Sequence, residues 1–229
     1  MTTMLHVEDL AVAFGDVDVL RGLSFDVDKG DSLAIIGPNG SGKTVLFKAL
    51  IGSLPFRGQI RWAAGVRIGY VPQKLDLERD LPITGHDLLV AKRRVVESDQ
   101  DIEVLVARVG LSGETHKPIG TLSGGQFQRL LVALALVGTP DVLLLDEFTA
   151  GVDVPGHQRL SELVHGLRTE HGLTVLSISH DLSVVYRSAT NVLCLSLDHP
   201  CIGPPRKILT PARLEEIYGA PVEFHVHGP

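Results

Sequence analysis

Ser32-Leu33-Ala34-Ile35-Ile36-Gly37-Pro38-Asn39-Gly40-Ser41-Gly42-Lys43-Thr44 passes from a short apolar block into a glycine-rich loop, and Val45–Ile51 follows with apolar residues on one side. That order predicts strand, loop and helix. Gly37–Thr44 fits G-x-x-x-x-G-K-[ST] in full, and a strand before it and a helix after it are the context a phosphate loop requires. Glycine lets the backbone wrap closely around phosphate, and the helix start contributes inward-pointing N–H groups and roughly half a positive charge. Lys43 brings a full charge to the β- and γ-phosphates, and the Thr44 hydroxyl suits Mg²⁺. Gly37, Pro38, Asn39, Gly40, Ser41, Gly42, Lys43 and Thr44 are thus the first candidates for binding the phosphates of a nucleotide.

Working outward, Leu5–Phe14, Leu23–Val27 and the segment around Gly58–Trp62 alternate apolar and polar residues, which predicts an antiparallel β region near the N-terminus. From about Leu75 to Leu136 the period becomes helical, with helices over Asp87–Val95, Asp101–Val109 and Gly124–Val137. Strands over Val142–Leu145, Thr174–Ser179 and Asn191–Leu197 then alternate with helices over Gly156–Arg168 and Leu182–Ser188, and a short helix follows near Pro211–Tyr218. Alternating elements of this kind indicate a parallel sheet covered on both faces. The expected fold is α/β with a mostly parallel sheet, an N-terminal antiparallel region and an inserted helical subdomain.

Two further segments carry chemistry. Val142-Leu143-Leu144-Leu145-Asp146-Glu147 is a buried strand that delivers two acids at its C-terminal end, where open α/β sheets bind ligands. Asp146 is placed to hold Mg²⁺, and Glu147, one residue on, to orient or deprotonate an attacking water. Leu122-Ser123-Gly124-Gly125-Gln126 opens a helical run with a second nest of backbone N–H groups, again a natural anion site. A helix simply capped by Ser123 is the plainer alternative.

Gly37–Thr44, Leu122–Gln126, Val142–Glu147 and His180 together resemble the nucleotide-binding subunit of ATP-binding cassette (ABC) transporters, in motif order and spacing and over nearly the whole chain. The resemblance implies a P-loop nucleotide hydrolase fold, one ABC ATPase domain over 1–229, with the helical insertion at about 75–136 and a C-terminal extension from about 198. It implies ATP and Mg²⁺ as ligands and a head-to-tail dimer, so that Ser123, Gly125 and Gln126 of one copy cap ATP on the other copy's phosphate loop. By the same resemblance Gln73 reaches Mg²⁺ or water and senses the membrane partner, His180 contacts the γ-phosphate, and Asp153 belongs to a loop crossing the dimer interface. Phe14 falls where the family places an aromatic that stacks on adenine, which a phenyl face can do; a core residue at a strand end is the alternative. Two positions depart from the family pattern. Phe148 stands where proline is usual, which predicts a less rigid start to the interface loop, and Leu134 stands where arginine is common.

Composition sets outer limits. The 229 residues suffice for a sizeable core, and 21 basic against 27 acidic side chains give −6 with no basic block, which argues against nucleic acid as a partner. No apolar run reaches the ~18 to 20 residues of a membrane span, and the start carries no secretion signal. The resemblance implies a peripheral place at the cytoplasmic face of the cell membrane, with separate transmembrane permease subunits and an extracytoplasmic substrate-binding protein as partners. Cys194 and Cys201 read as reduced thiols, a buried strand residue and a turn, and a metal site using His199 is disfavoured. Within the family, Ile178–Leu182, Gly203-Pro204-Pro205 and Leu209-Thr210-Pro211 are similar to subunits of zinc and manganese importers. Phe224-His225-Val226-His227 is either a short metal-binding tail or a frayed terminus.

Overall fold

In the computed structural model the alternating N-terminal residues form two strands, β1 (Thr3–Phe14) and β2 (Val17–Asp28), paired antiparallel through a turn at Gly15. Leu5 and Val7 face the core, then the phase slips so that Leu10 and Val12 do. The slip is a bulge: the register shifts between Val7 and Leu10, and Asp9 takes a left-handed φ of 48°. The strand β3 (Ser32–Ile36) is buried at every position, the helix α1 (Lys43–Leu50) follows the glycine loop, and β4 (Arg57–Trp62) adds to the far side of β1, giving the order β2-β1-β4.

Residues 2–73, 81–149, 152–196 and 200–220 are described by the structure. They divide into Met1–Val66 with Thr174–Pro229 as one unit and Arg67–Leu173 as another. The second unit holds β5 (Ile68–Val71), α2 (Gly85–Val95), α3 (Ile102–Arg108), α4 (Gly124–Leu136), β6 (Val142–Asp146) and α5 (Val154–His171). The chain then returns to the first unit with β7 (Thr174–Ile178), α6 (Leu182–Ser188), β8 (Asn191–Cys194), β9 (Cys201–Gly203), α7 (Pro205–Ile208) and α8 (Pro211–Tyr218).

In the first unit β3 runs parallel to both β7 and β8, with Ile35 opposite Ile178 on one side and Leu193 on the other. A strand flanked and covered in this way needs the near-continuous apolar run that Ser32–Ile36 supplies. In the second unit β5 and β6 pair in parallel, Tyr70 opposite Leu144. The mostly parallel α/β fold expected from the alternation of elements is what forms.

The segment after β8 folds back onto this framework. Leu214 and Ile217 of α8 and Ile208 of α7 are buried in one cluster with Ile36, Val192 and Cys194. Each such side chain contributes about 1.5–3 kcal/mol when fully buried, so the C-terminal helices are part of the core beneath the glycine loop. Two sequence expectations change here. The strand expected over Asn191–Leu197 ends at Cys194, and Cys201 lies in β9, directly opposite Cys194, instead of in a turn. His199 and the His225/His227 tail lie outside the described residues.

Candidate functional site

The phosphate loop owes its form to close approach. Gly37 has φ 148°, and a Cβ there would come 2.4 Å from the Leu195 carbonyl oxygen. Gly42, at φ 91°, packs against Val19 and Leu20 of β2, where a Cβ would be 2.9 Å from the Leu20 side chain. A side chain at Gly37 would meet backbone, and one at Gly42 would need a left-handed backbone and shifted side chains, so the loop lies close against Leu195, just past β8, and against β2. Lys43 is buried to 6 % exposure, and its ammonium donates to the carbonyls of Gly37 and Pro38, both at 2.9 Å. The Ser41 hydroxyl oxygen is buried and has no hydrogen-bond partner among the described residues. Side chains of Thr84, Asp101, Ser123, Asp153, Asp181 and Thr210 cap other helices, whereas α1 starts at Gly42 with no side-chain cap. The start of a helix without a side-chain cap is a place where an anion is well received.

Phe14 ends β1 opposite Val17 of β2 and is 51 % exposed, which removes the core alternative. Its hairpin is the one whose second strand touches Gly42. His180 is exposed at the end of β7, where the Ser179 amide donates to the Ile35 carbonyl at 3.3 Å and Asp181 caps α6. Phe14, the loop and His180 thus share the first unit.

Gln73, Ser123, Gly125, Gln126, Asp146, Glu147 and Asp153 belong to the second. Asp146 is fully buried at the end of β6, and the Tyr70 hydroxyl donates to its Oδ2 at 3.3 Å. Burial, then the Asp146 charge and this hydrogen bond, pushes the Tyr70 phenol well above its ordinary value, so it stays a neutral donor. Tyr70 escaped the sequence reading. The Gln73 amide donates to Glu147 Oε2 at 2.6 Å. Glu147 has a left-handed φ of 45°, which costs a non-glycine residue about 1–2 kcal/mol. Strain at this carboxylate, held by packing on either side, is the pattern of a residue placed for use. Phe148, which stands where the family usually has proline, is buried, at 9 % exposure.

Ser123 caps α4. Its hydroxyl accepts from the Gln126 amide at 3.3 Å, the Gln126 side chain accepts from the Ser123 amide at 2.8 Å, and Gln126 also donates to Glu114 at 2.8 Å. The cap leaves the Gly124 and Gly125 amides aside. A Cβ at Gly125 would meet only Val152 at an ordinary 3.6 Å, so the chain's own packing does not require that glycine. Asp153 caps α5 through the Gly156 amide at 3.2 Å. Leu134 lines a groove of about 890 Å³ with Tyr70, Pro72, Lys92, Leu131 and Gly138.

Comparisons with known proteins identify the family. The ABC transporter family profile matches residues 20–150. The zinc import ATP-binding protein ZnuC of Jannaschia sp. (strain CCS1) is 40% identical over 218 residues, covering 95% of this chain and 89% of that protein. The protein of the same name from Paracoccus denitrificans (strain Pd 1222) is 39% identical over 222 residues, covering 96% and 87%. Among solved structures, a chain described as part of a metal-chelate-type ABC transporter in an inward-facing conformation superposes with a TM-score of 0.87 at 26% identity, covering 96% of this chain and 90% of that one. A pinned phosphate loop, an acid pair at a strand end and a glycine-bearing helix start occur together in a chain matched over more than half its length by one family: the protein belongs to the ATP-binding subunits of ABC transporters and is an ATPase.

Proposed function

We propose that this ATPase powers the import of a divalent metal ion, zinc in the first place and manganese as the near alternative, through separate transmembrane permease subunits. One observation carries the cargo assignment: relatives named for zinc import are about 40% identical over 95% of the chain. The placement we infer is peripheral, at the cytoplasmic face of the membrane, with an extracytoplasmic substrate-binding protein delivering the ion. Among the described residues no helix is long and apolar enough to cross a membrane, so the path for the ion belongs to the partners. The groove lined by Pro72 and Leu134 adjoins Gln73, and it is the surface we assign to a permease segment.

The site's own residues supply the chemistry of the proposal. Phe14 stacks on adenine, and residues 37–44 bind the phosphates, with the amides at the start of α1, Lys43 and the Ser41 hydroxyl as donors. Those donors and the buried Asp146 carboxylate fit Mg·ATP. Thr44 and Asp146 would hold Mg²⁺, with Gln73 reaching it, and the ion would supply charge neutralisation on the β- and γ-phosphates. Glu147 accepts the proton of the attacking water, oriented by the Gln73 amide. His180 donates to the transferred group. Ser123 and Gly125 of a second, head-to-tail copy close the site, a role the chain's own packing leaves open at Gly125.

The test is Glu147→Gln. The amide keeps the shape and cannot take the proton, so turnover should fall at least about 10²-fold with ATP affinity kept. ATPase activity near the parent's, measured in the complex with its permease, would remove Glu147 as the base.

A further inference from the structure

Away from the nucleotide site, three side chains from three separate stretches converge on the second unit. His86 lies in the first turn of α2, Glu103 in the first turn of α3, and His116 in the loop before α4. One ligand atom from each lies within 4.8 Å of the others. Both imidazole Nε2 atoms face the same carboxylate oxygen, Glu103 Oε1, at 3.8 Å from His86 and 4.0 Å from His116. The two rings stack at 4.7 Å with 29° between their planes. We infer that His86, Glu103 and His116 form a binding site for a divalent transition-metal ion of the zinc class.

The backbone is built to hold this group. The His86 amide donates to the Thr115 carbonyl at 2.9 Å and the Ile119 amide to the Ile83 carbonyl at 2.9 Å, while Thr84 bridges to Pro118. This short antiparallel contact sets His86 beside His116. A capping box of Thr84 and Asp87 fixes the start of α2, and Asp101 caps α3 one residue before Ile102 and two before Glu103. Two histidines and one carboxylate are a common zinc donor set, with bonds of about 2.0–2.2 Å. Those bonds place tetrahedral donors about 3.3–3.6 Å apart, so rotation of the side chains suffices to close the cluster. Their side chains are 31, 66 and 63 % exposed for His86, Glu103 and His116, which leaves a path for the ion and a fourth position for water. The Asp87 carboxylate, engaged by Thr84, adds negative charge near both rings.

The position gives such a site a consequence. Two residues before His116, Glu114 accepts from the Gln126 side chain at 2.8 Å, and Gln126 completes the cap on Ser123. An ion on His116 would therefore stiffen the loop that holds the Leu122–Gln126 segment. Resting on the reading of the chain as a metal importer, that coupling would let the imported ion report back on ATP turnover.

The binding claim is tested first and does not depend on the cargo. The full chain carrying His225→Ala and His227→Ala, which removes the tail as a competing site, is freed of metal and titrated with Zn²⁺ by calorimetry without nucleotide. We expect one ion per chain, with affinity falling at least about tenfold on adding either His116→Ala or Glu103→Gln. Melting of these variants without zinc should match the background, because exposed side chains contribute little to the fold. Zinc binding unchanged by both substitutions, or no stoichiometric binding to the background chain, would overturn the site. A chain that binds zinc here while its transporter carries another cargo would leave the site standing and remove the importer reading.

Discussion

Gly37→Ala separates close approach from mere loop flexibility. The new Cβ would lie 2.4 Å from the Leu195 carbonyl oxygen and 2.9 Å from the Ser41 hydroxyl. The Leu195 peptide cannot yield easily, because its amide donates to the Ile36 carbonyl at 2.8 Å in the β3–β8 ladder. Separation of the loop from β8 must grow by about 1 Å, and overpacking of this kind costs about 1–3 kcal/mol. Holding alanine at an unusual φ adds about 1–3 kcal/mol. The sum, about 2–6 kcal/mol, corresponds to a melting point lower by about 4–24 °C for a chain of this size. ATP affinity should fall with it, because the loop that moves is the one that cradles phosphate. Gly40→Ala is the matched control: φ is 82° there, but nothing lies within 4 Å of the added carbon, so the backbone term of about 1–3 kcal/mol stands alone. Thermal melts and nucleotide titrations of the two variants decide the matter. Equal losses, or a parent-like melt for Gly37→Ala, would refute the argument from close approach.

Other outcomes follow from the same geometry. Lys43→Ala should abolish measurable ATP binding by calorimetry, since it removes the buried charge that lies against the Gly37 and Pro38 carbonyls. Ser123→Arg should leave ATP binding to the isolated subunit intact while preventing ATP-driven dimers in size-exclusion chromatography; the lost cap should cost about 0.5–2 kcal/mol in a melt. Tyr70→Phe should weaken metal-dependent ATP turnover while sparing the fold, because it strips the neutral donor from the buried Asp146. Cys201 should react with iodoacetamide along a pH profile centred near neutrality. A hydrogen bond from the Cys194 thiol, with Arg213 nearby, holds the Cys201 thiol at about 7 against burial, below its ordinary 9.0. The reactive thiolate therefore accumulates as pH rises through 7, and Cys194→Ala should move the profile upward.

The local elements could be read from the chain because their signals are local. Ser32–Ile36 and Leu182–Ser188 were bounded by glycine, aspartate and capping residues, and those bounds hold to the residue. Elements whose signal is tertiary were not legible. β5 has Gly69 in its interior, which weakens a strand pattern; the reason for that glycine is the Ala135 carbonyl of α4, 2.3 Å from where a Cβ would stand. Without β5 and its register to β6, Tyr70 could not be placed beside Asp146. β9 has three residues, and α7 starts at a proline that reads as a turn. The residues of the phosphate loop and the acid pair were visible because their spacing is fixed by one strand or one loop. His86, Glu103 and His116 were not, since the pairing of Ile83–His86 with Thr115–Ile119 and the placing of α3 beside it are tertiary. The left-handed Glu147 has no sequence signal at all: glutamate is not a residue that favours that conformation.

The central claim is that ATP hydrolysis by this chain drives a divalent metal ion across a membrane. Its most direct test reconstitutes the chain with the membrane subunits that co-purify with it and measures zinc accumulation in sealed vesicles supplied with ATP and a zinc-loaded binding protein. The account predicts zinc uptake that requires ATP and stops with Glu147→Gln. Brisk ATP hydrolysis with no movement of zinc or manganese, or uptake that persists in Glu147→Gln, would contradict it.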